Sequence, residues 1–167
     1  LFALLAGLAL AAACRAPAPQ VPQQAHHAPP VAVEAPELEK NRDLHGPPDI
    51  GGYIQNLESA GRIGHLKPEV VLEKLALAPD ATICDLGCGP GVFALRFARA
   101  APRGVVYAVD VEPRQLDRLR EHLLAEHVDN VVPVLGSYST PHLPPASCDV
   151  IFIGDTYHHF ENRVEYM

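Results

Sequence analysis

Thr82-Ile83-Cys84-Asp85-Leu86-Gly87-Cys88-Gly89-Pro90-Gly91 reads as a short buried strand running into a glycine-rich turn, with a helix starting near Val92. Glycines at 87, 89 and 91 let the main chain turn sharply and let a ligand approach it closely. The free N–H groups of a helix start behind such a turn suit an anionic group. Asp85 points the other way. A carboxylate at the strand's end repels a pyrophosphate and attracts an ammonium or sulfonium group. The spacing is G-x-G-x-G, and Val92 stands where the dinucleotide pattern G-x-G-x-x-G requires its last glycine. The next apolar run, Val105-Val106-Tyr107-Ala108-Val109, ends in Asp110, where an acid can bind both hydroxyls of a ribose. This pair of acids fits a cationic, ribose-bearing ligand without phosphates better than it fits NAD.

The two segments D-L-G-C-G-P-G and V-Y-A-V-D together resemble the cofactor site of class I S-adenosylmethionine-dependent methyltransferases, over roughly the second half of the chain. The resemblance implies an α/β fold, a Rossmann-like parallel sheet with strand order 3-2-1-4 and the first and fourth strands adjacent at the ligand crevice. It implies S-adenosyl-L-methionine as cofactor, held by Asp85, Gly87, Cys88, Gly89, Gly91, Asp110, Val111, Ser137 and Asp155. Gly154-Asp155-Thr156-Tyr157-His158-His159-Phe160 is similar to the D-x-x-H-H-F segment that follows the fourth strand in many small-molecule methyltransferases. There Asp155 can hold the methionine amino group or a substrate donor, and His158 or His159 can accept a proton near neutral pH. Ser137 stands where the family often has an acid for the adenine amino group, so a hydroxyl or main-chain contact replaces that acid here.

The remaining elements follow from hydrophobic period and punctuation. Ile50 to Ser59 carries Tyr53, Ile54 and Leu57 at helical spacing, with Gly61 to end it. Pro68 suits the first turn of a second helix with Val71, Leu72 and Leu75 on one face. Val92 to Ala100 follows the glycine turn. Pro113 opens a helix whose apolar stripe is Leu116, Leu119, Leu123 and Leu124. Val131 to Leu135 is a strand at an edge, because of Pro133. Cys148 to Gly154 is nearly all apolar and reads as a strand buried on both faces. Alternating strands and helices imply a parallel sheet with right-handed crossovers.

The 167 residues suffice for one domain with a real core. A net charge of −7 with dispersed basic residues argues against nucleic acid as a partner. Seventeen prolines are unevenly spread, which divides the chain. Residues 1–14 read as a secretory signal or lipoprotein-like segment: an apolar Leu/Ala run followed by Ala11-Ala12-Ala13-Cys14. Leu10 stands one place further from that cysteine than in the usual lipoprotein motif. Residues 15–48 are a Pro/Ala/Gln/His-rich tract expected to be a disordered tether, and His26-His27 has no further metal ligands beside it. Residues 49–80 form a helical cap and 81–167 a partial Rossmann-like domain, truncated after the fourth strand. Cys84-x-x-x-Cys88 lacks partners for zinc. No metal is expected.

The function expected is methyl transfer from S-adenosylmethionine to a small-molecule acceptor, by an enzyme exported or attached to a membrane through Cys14 or the N-terminal apolar run. Two alternatives stand beside it: a nicotinamide-dependent oxidoreductase, and a non-catalytic, membrane-tethered module that binds a nucleoside ligand. A cytoplasmic location is the alternative to export.

Overall fold

A computed structural model describes residues 49–160 and 162–166. The expectations for residues 1–14 and 15–48, including Cys14 and His26-His27, lie outside these described residues. Among the described residues no helix is long and apolar enough to cross a membrane.

Three short helices come first: α1 (Ile50–Leu57), α2 (Ala60–Leu66) and α3 (Pro68–Leu75). Then follow β1 (Thr82–Leu86), α4 (Ala94–Ala100), β2 (Val105–Asp110), α5 (Pro113–Ala125), β3 (Val131–Leu135) and β4 (Val150–Ile153). A 3-10 turn (Tyr157–His159) and α6 (Arg163–Tyr166) close the described chain. The sheet is four-stranded and all its pairings are parallel, in the order β3-β2-β1-β4. This is the Rossmann-like order expected from the sequence. In register, Asp85 lies between Ala108 of β2 and Phe152 of β4.

Right-handed crossovers put α4 and α5 on one face of the sheet. There Ile83, Val106, Ala108 and Val131 meet Phe97, Leu116 and Leu119, with Val71, Leu72 and Leu75 of α3 packed at the margin. Phe97, Ile83, Leu116 and Leu119 are fully buried, each contributing about 1.5–3 kcal/mol from burial alone. The rings of Phe93, Phe97 and Phe152 join the start of this layer to β4, with centroids 4.5–5.8 Å apart. On the other face Cys84, Leu86, Tyr107, Val109 and Val134 are covered by Phe160 and Tyr166. Asn130 fastens the turn before β2: its Nδ2 donates to the carbonyls of Ala98, Ala101 and Gly104 at 3.1, 3.1 and 3.4 Å.

Four local expectations are corrected. Gly61 does not end the first helix but lies inside α2. Ser59, with φ −65° and ψ 141°, leaves the helical region and its Oγ accepts from Arg62 N, so a new helix begins there. The helix after the glycine turn starts at Ala94 rather than Val92, because residues 91–93 are still turning. The fourth strand spans only Val150–Ile153 and is not buried on both faces. As an edge strand it leaves Ile151 48% exposed. Leu124 is 78% exposed and belongs to no core stripe. It stands about 180° around α5 from Gln115, nine residues earlier, and Gln115 is the buried one.

Gly104 packs against the main chain just before β1, so that a Cβ there would overlap the carbonyl of Ala81. Backbone cannot rotate aside as a side-chain tip can. Gly104→Ala is therefore expected to destabilise the domain by about 1–3 kcal/mol, read as a lower urea midpoint with an unchanged m-value.

Candidate functional site

The carboxyl ends of β1, β2 and β4 and the glycine turn surround a cavity of about 340 Å³, within the range of small-molecule sites. The turn is anchored from β2, whose Val109 carbonyl accepts from both Gly87 N and Cys88 N, at 2.8 and 3.0 Å. Gly87 has φ +77°, and a Cβ on it would overlap the side chain of Thr156. The loop after β4 thus closes directly onto the first glycine, which only a residue without a side chain permits.

Asp85 lies at the floor, 2% exposed, and among the described residues its Oδ2 has no hydrogen-bonding partner. Burial and the neighbouring Asp110 carboxylate push its pKa up to about 7, against one backbone N–H bond from Ala94. Asp110 is better supplied. Its Oδ2 accepts from Gly89 N at 2.8 Å and its Oδ1 from Glu112 N at 2.9 Å. Burial still raises its pKa, the backbone donors notwithstanding. A buried acid, Asp85, and a half-buried one, Asp110, therefore face one cavity, and neither is ion-paired among the described residues.

The other expected residues fall at varied distances from this centre. Cys88 is buried beneath the turn, its Sγ 3.4 Å from the Gly89 carbonyl, and burial holds its thiol well above the usual pKa. Val111 lines the cavity beside Asp110. Gly91, with φ +97°, turns the chain toward α4 and meets Leu119, lying behind the cavity wall rather than on it. Ser137 reaches the wall, but its Oγ is engaged in its own turn. It accepts from Ser139 N and Thr140 N at 3.3 and 3.2 Å and lies 3.0 Å from Ser139 Oγ. Asp155, at φ +59°, directs Oδ2 to Arg62 Nη2 at 2.9 Å instead of into the floor. This ion pair joins α2 to the loop after β4. Of the two histidines, His159 lines the cavity and His158 does not, although their ring centroids are 4.0 Å apart.

Several residues were not legible as site residues. Ile50 and Leu57 of α1 are among them and, with Tyr53, form a cap wall over the cavity. Glu58 holds that cap to α5, accepting from Arg118 Nε and Nη2 at 2.7 and 3.1 Å, with His122 Nε2 at 2.6 Å. The bond from Arg118 is the main reason that its carboxyl is held below the usual range. Tyr166 donates its hydroxyl to the Ser137 carbonyl at 3.1 Å and stacks on Phe160, closing the side near β3. Gln115 also lines the wall. The available signal was a polar residue in register with Leu119, four positions on, along an otherwise apolar stripe.

Comparison with known proteins bears on this geometry. A sequence model described as a methyltransferase domain matches residues 83–167. A release factor glutamine methyltransferase of Moorella thermoacetica is 43% identical over 54 residues, which is 32% of this chain and 19% of that protein. A SAM-dependent methyltransferase from Aquifex aeolicus superposes with TM-score 0.62 at 24% identity, covering 68% of this chain and 64% of that one. The YcgJ protein of Bacillus subtilis superposes with TM-score 0.52 at 22% identity, over 58% of this chain and 41% of its own. The match thus spans about a fifth of the curated relative's length, and the two superpositions are likenesses of fold. With half of its length matched by that domain, including β1 and the glycine turn, β2 and the loop after β4, the chain belongs to the methyltransferase-domain family.

Proposed function

We propose that the chain binds S-adenosylmethionine between its glycine turn and Asp110 and transfers the methyl group to a small-molecule acceptor. The observation that carries this reading is the buried Oδ2 of Asp85, without a hydrogen-bonding partner among the described residues, beside the half-buried Asp110. A carboxylate in that position is costly until a cation or donor reaches it, and the methionine end of the donor carries an ammonium and a sulfonium. A pyrophosphate would add negative charge to two acids. The nicotinamide reading is therefore disfavoured on electrostatic grounds.

Bound there, the donor supplies an electrophilic methyl group. The chain's own residues do the rest by holding and enclosing it. Asp110, fixed by Gly89 N and Glu112 N, has lone pairs left for ribose hydroxyls. Asp85 faces the cationic portion, Val111 covers the base, and the close fit of Thr156 on Gly87 sets the height of the crevice floor. His159, on the cavity wall, is the residue positioned to take a proton from an acceptor. Alignment of a nucleophile with the methyl group supplies much of such a reaction's rate, which fits a site with few ionisable catalysts. The modest cavity and its α1 wall favour a small acceptor over a polymer.

Asp110→Ala is expected to weaken S-adenosylhomocysteine binding by about 1–3 kcal/mol, measured by calorimetry, through loss of a buried charged hydrogen bond. Affinity equal to wild type would remove the ribose assignment.

Asp85→Asn should weaken S-adenosylmethionine binding by about 1.5–3 kcal/mol and leave 5′-methylthioadenosine, which lacks the amino acid portion and the sulfonium charge, nearly unaffected. Equal losses for both ligands would instead indicate general damage to the turn.

The same carboxyl makes the ligand-free protein pH-sensitive. In the unfolded chain it loses its proton near pH 4, whereas in the fold it keeps it up to about pH 7. Its favourable contribution is complete below the lower value, declines between the two and is lost above the higher one. Asp85→Asn should accordingly raise the melting temperature at pH 8 and flatten the decline from pH 5 to 8, by an amount on the order of 2–4 kcal/mol. A parallel pH profile for wild type and variant would contradict this.

A further inference from the structure

Gln115 occupies the first turn of α5 on its buried side, 3% exposed and on the cavity wall. Its Oε1 is buried and has no hydrogen-bonding partner among the described residues. An amide oxygen shut away from water without a donor is destabilising, and leucine or methionine would suit the same stripe beside Leu116 and Leu119. The position thus keeps a polar group at the expense of stability.

Its neighbours show what is missing. Gly89 is adjacent: a Cβ built on it would stand 3.9 Å from Gln115 Oε1. The Gly89 N–H is already given to Asp110 Oδ2 at 2.8 Å. Glu112, one turn back, is occupied by Arg114, at 2.7 Å to Nε and 2.8 Å to Nη2. Asp110 and Glu112 are acceptors in their ionised forms, so this wall presents oxygens and lacks a free side-chain donor among them. The complementary group is a donor that enters with the ligand.

We propose that Gln115 is a specificity-determining residue for the nucleoside: its Oε1 accepts from one ribose hydroxyl while Asp110 accepts from the other. The inference rests on the donor assignment above and deepens it. An acid alone recognises a hydroxyl pair through one charged group. An acid plus an amide makes each hydroxyl count, and a ligand lacking the one read by Gln115 leaves a buried oxygen unpaired.

The test is calorimetry on the full chain with S-adenosylhomocysteine and its 2′-deoxy and 3′-deoxy analogues, using wild type, Gln115→Leu and Gln115→Met. Both variants should bind S-adenosylhomocysteine about tenfold more weakly. For one of the two deoxy analogues, wild type and variants should bind alike. Melting temperatures should equal or exceed that of wild type, since an unpaired buried acceptor has been replaced by apolar atoms. Unchanged affinity for S-adenosylhomocysteine, or the same loss with all three ligands, would overturn the assignment. Unfolding of both variants would show the amide to be a structural group and would overturn it as well. Failure of the wild type to bind S-adenosylhomocysteine would remove the donor reading itself, and this inference with it. Binding by wild type with insensitive variants sinks only the role of Gln115.

Discussion

Two carboxylates at the ends of adjacent parallel strands, one buried and one half-buried, impose the central constraint on this protein. Asp85 and Asp110 share one cavity, the Asp110 carboxylate raises the cost of ionising Asp85, and only Asp110 is well supplied with backbone donors. Asp110 is useful because Gly89 and Glu112 hold it, and the turn keeps its shape partly because Asp110 accepts from Gly89. The glycine turn, the end of β2 and the start of α5 are therefore one hydrogen-bonded unit. Asp85 stands outside that unit, its Oδ2 without a hydrogen-bonding partner among the described residues, which makes its ionised form costly in the ligand-free site.

The rest of the fold keeps this unit in place. Parallel pairing of β1 with both β2 and β4 sets three strand ends level. The aromatic cluster of Phe93, Phe97 and Phe152 then ties the chain entering α4 to β4 across the floor. On the open side, α1 and α2 are held by two links of different character. Glu58 is largely shielded between Arg118 and His122, whereas the Arg62–Asp155 pair is more exposed and more readily screened by salt. The cap is thus tied more firmly at the α5 end than beside the loop after β4.

This distribution explains how stability and binding pull against each other here. Two of the buried side-chain atoms without a hydrogen-bonding partner among the described residues, Asp85 Oδ2 and Gln115 Oε1, belong to residues that line the cavity. By contrast, the apolar layer of α3, α4 and α5 on the sheet is closely filled. Buried acceptors without donors lower stability by amounts that a hydrophobic core of this size can offset. A ligand that supplies those donors binds the folded chain alone, and so stabilises it by mass action.

Much of this was legible in the residues. Three glycines at alternate positions after an apolar run, with Asp85 before them and Asp110 ending the next run, specified strand and turn and the two acids that meet at one cavity. Alternation of apolar runs with helical stripes specified the parallel sheet, and the resemblance to class I methyltransferases supplied its order. Pro133 marked β3 as an edge. Local pattern failed where the outcome depended on what lies opposite. The apolar run after Cys148 was read as buried on both faces, but burial belongs to neighbours, and β4 has a strand on one side only among the described elements. Leu124, read into the apolar stripe of α5, is exposed, and Gln115, outside that stripe, is buried, because the face of α5 that packs on the sheet is set by its neighbours, which hydropathy does not record. Asp155 lines the cavity, but its carboxylate is paired with Arg62, 93 positions away in the chain. Sequence determined which charges the cavity would contain, since charge is a property of residue type. Tertiary structure decided which of them are already paired, because pairing is set by distances between segments far apart in the chain.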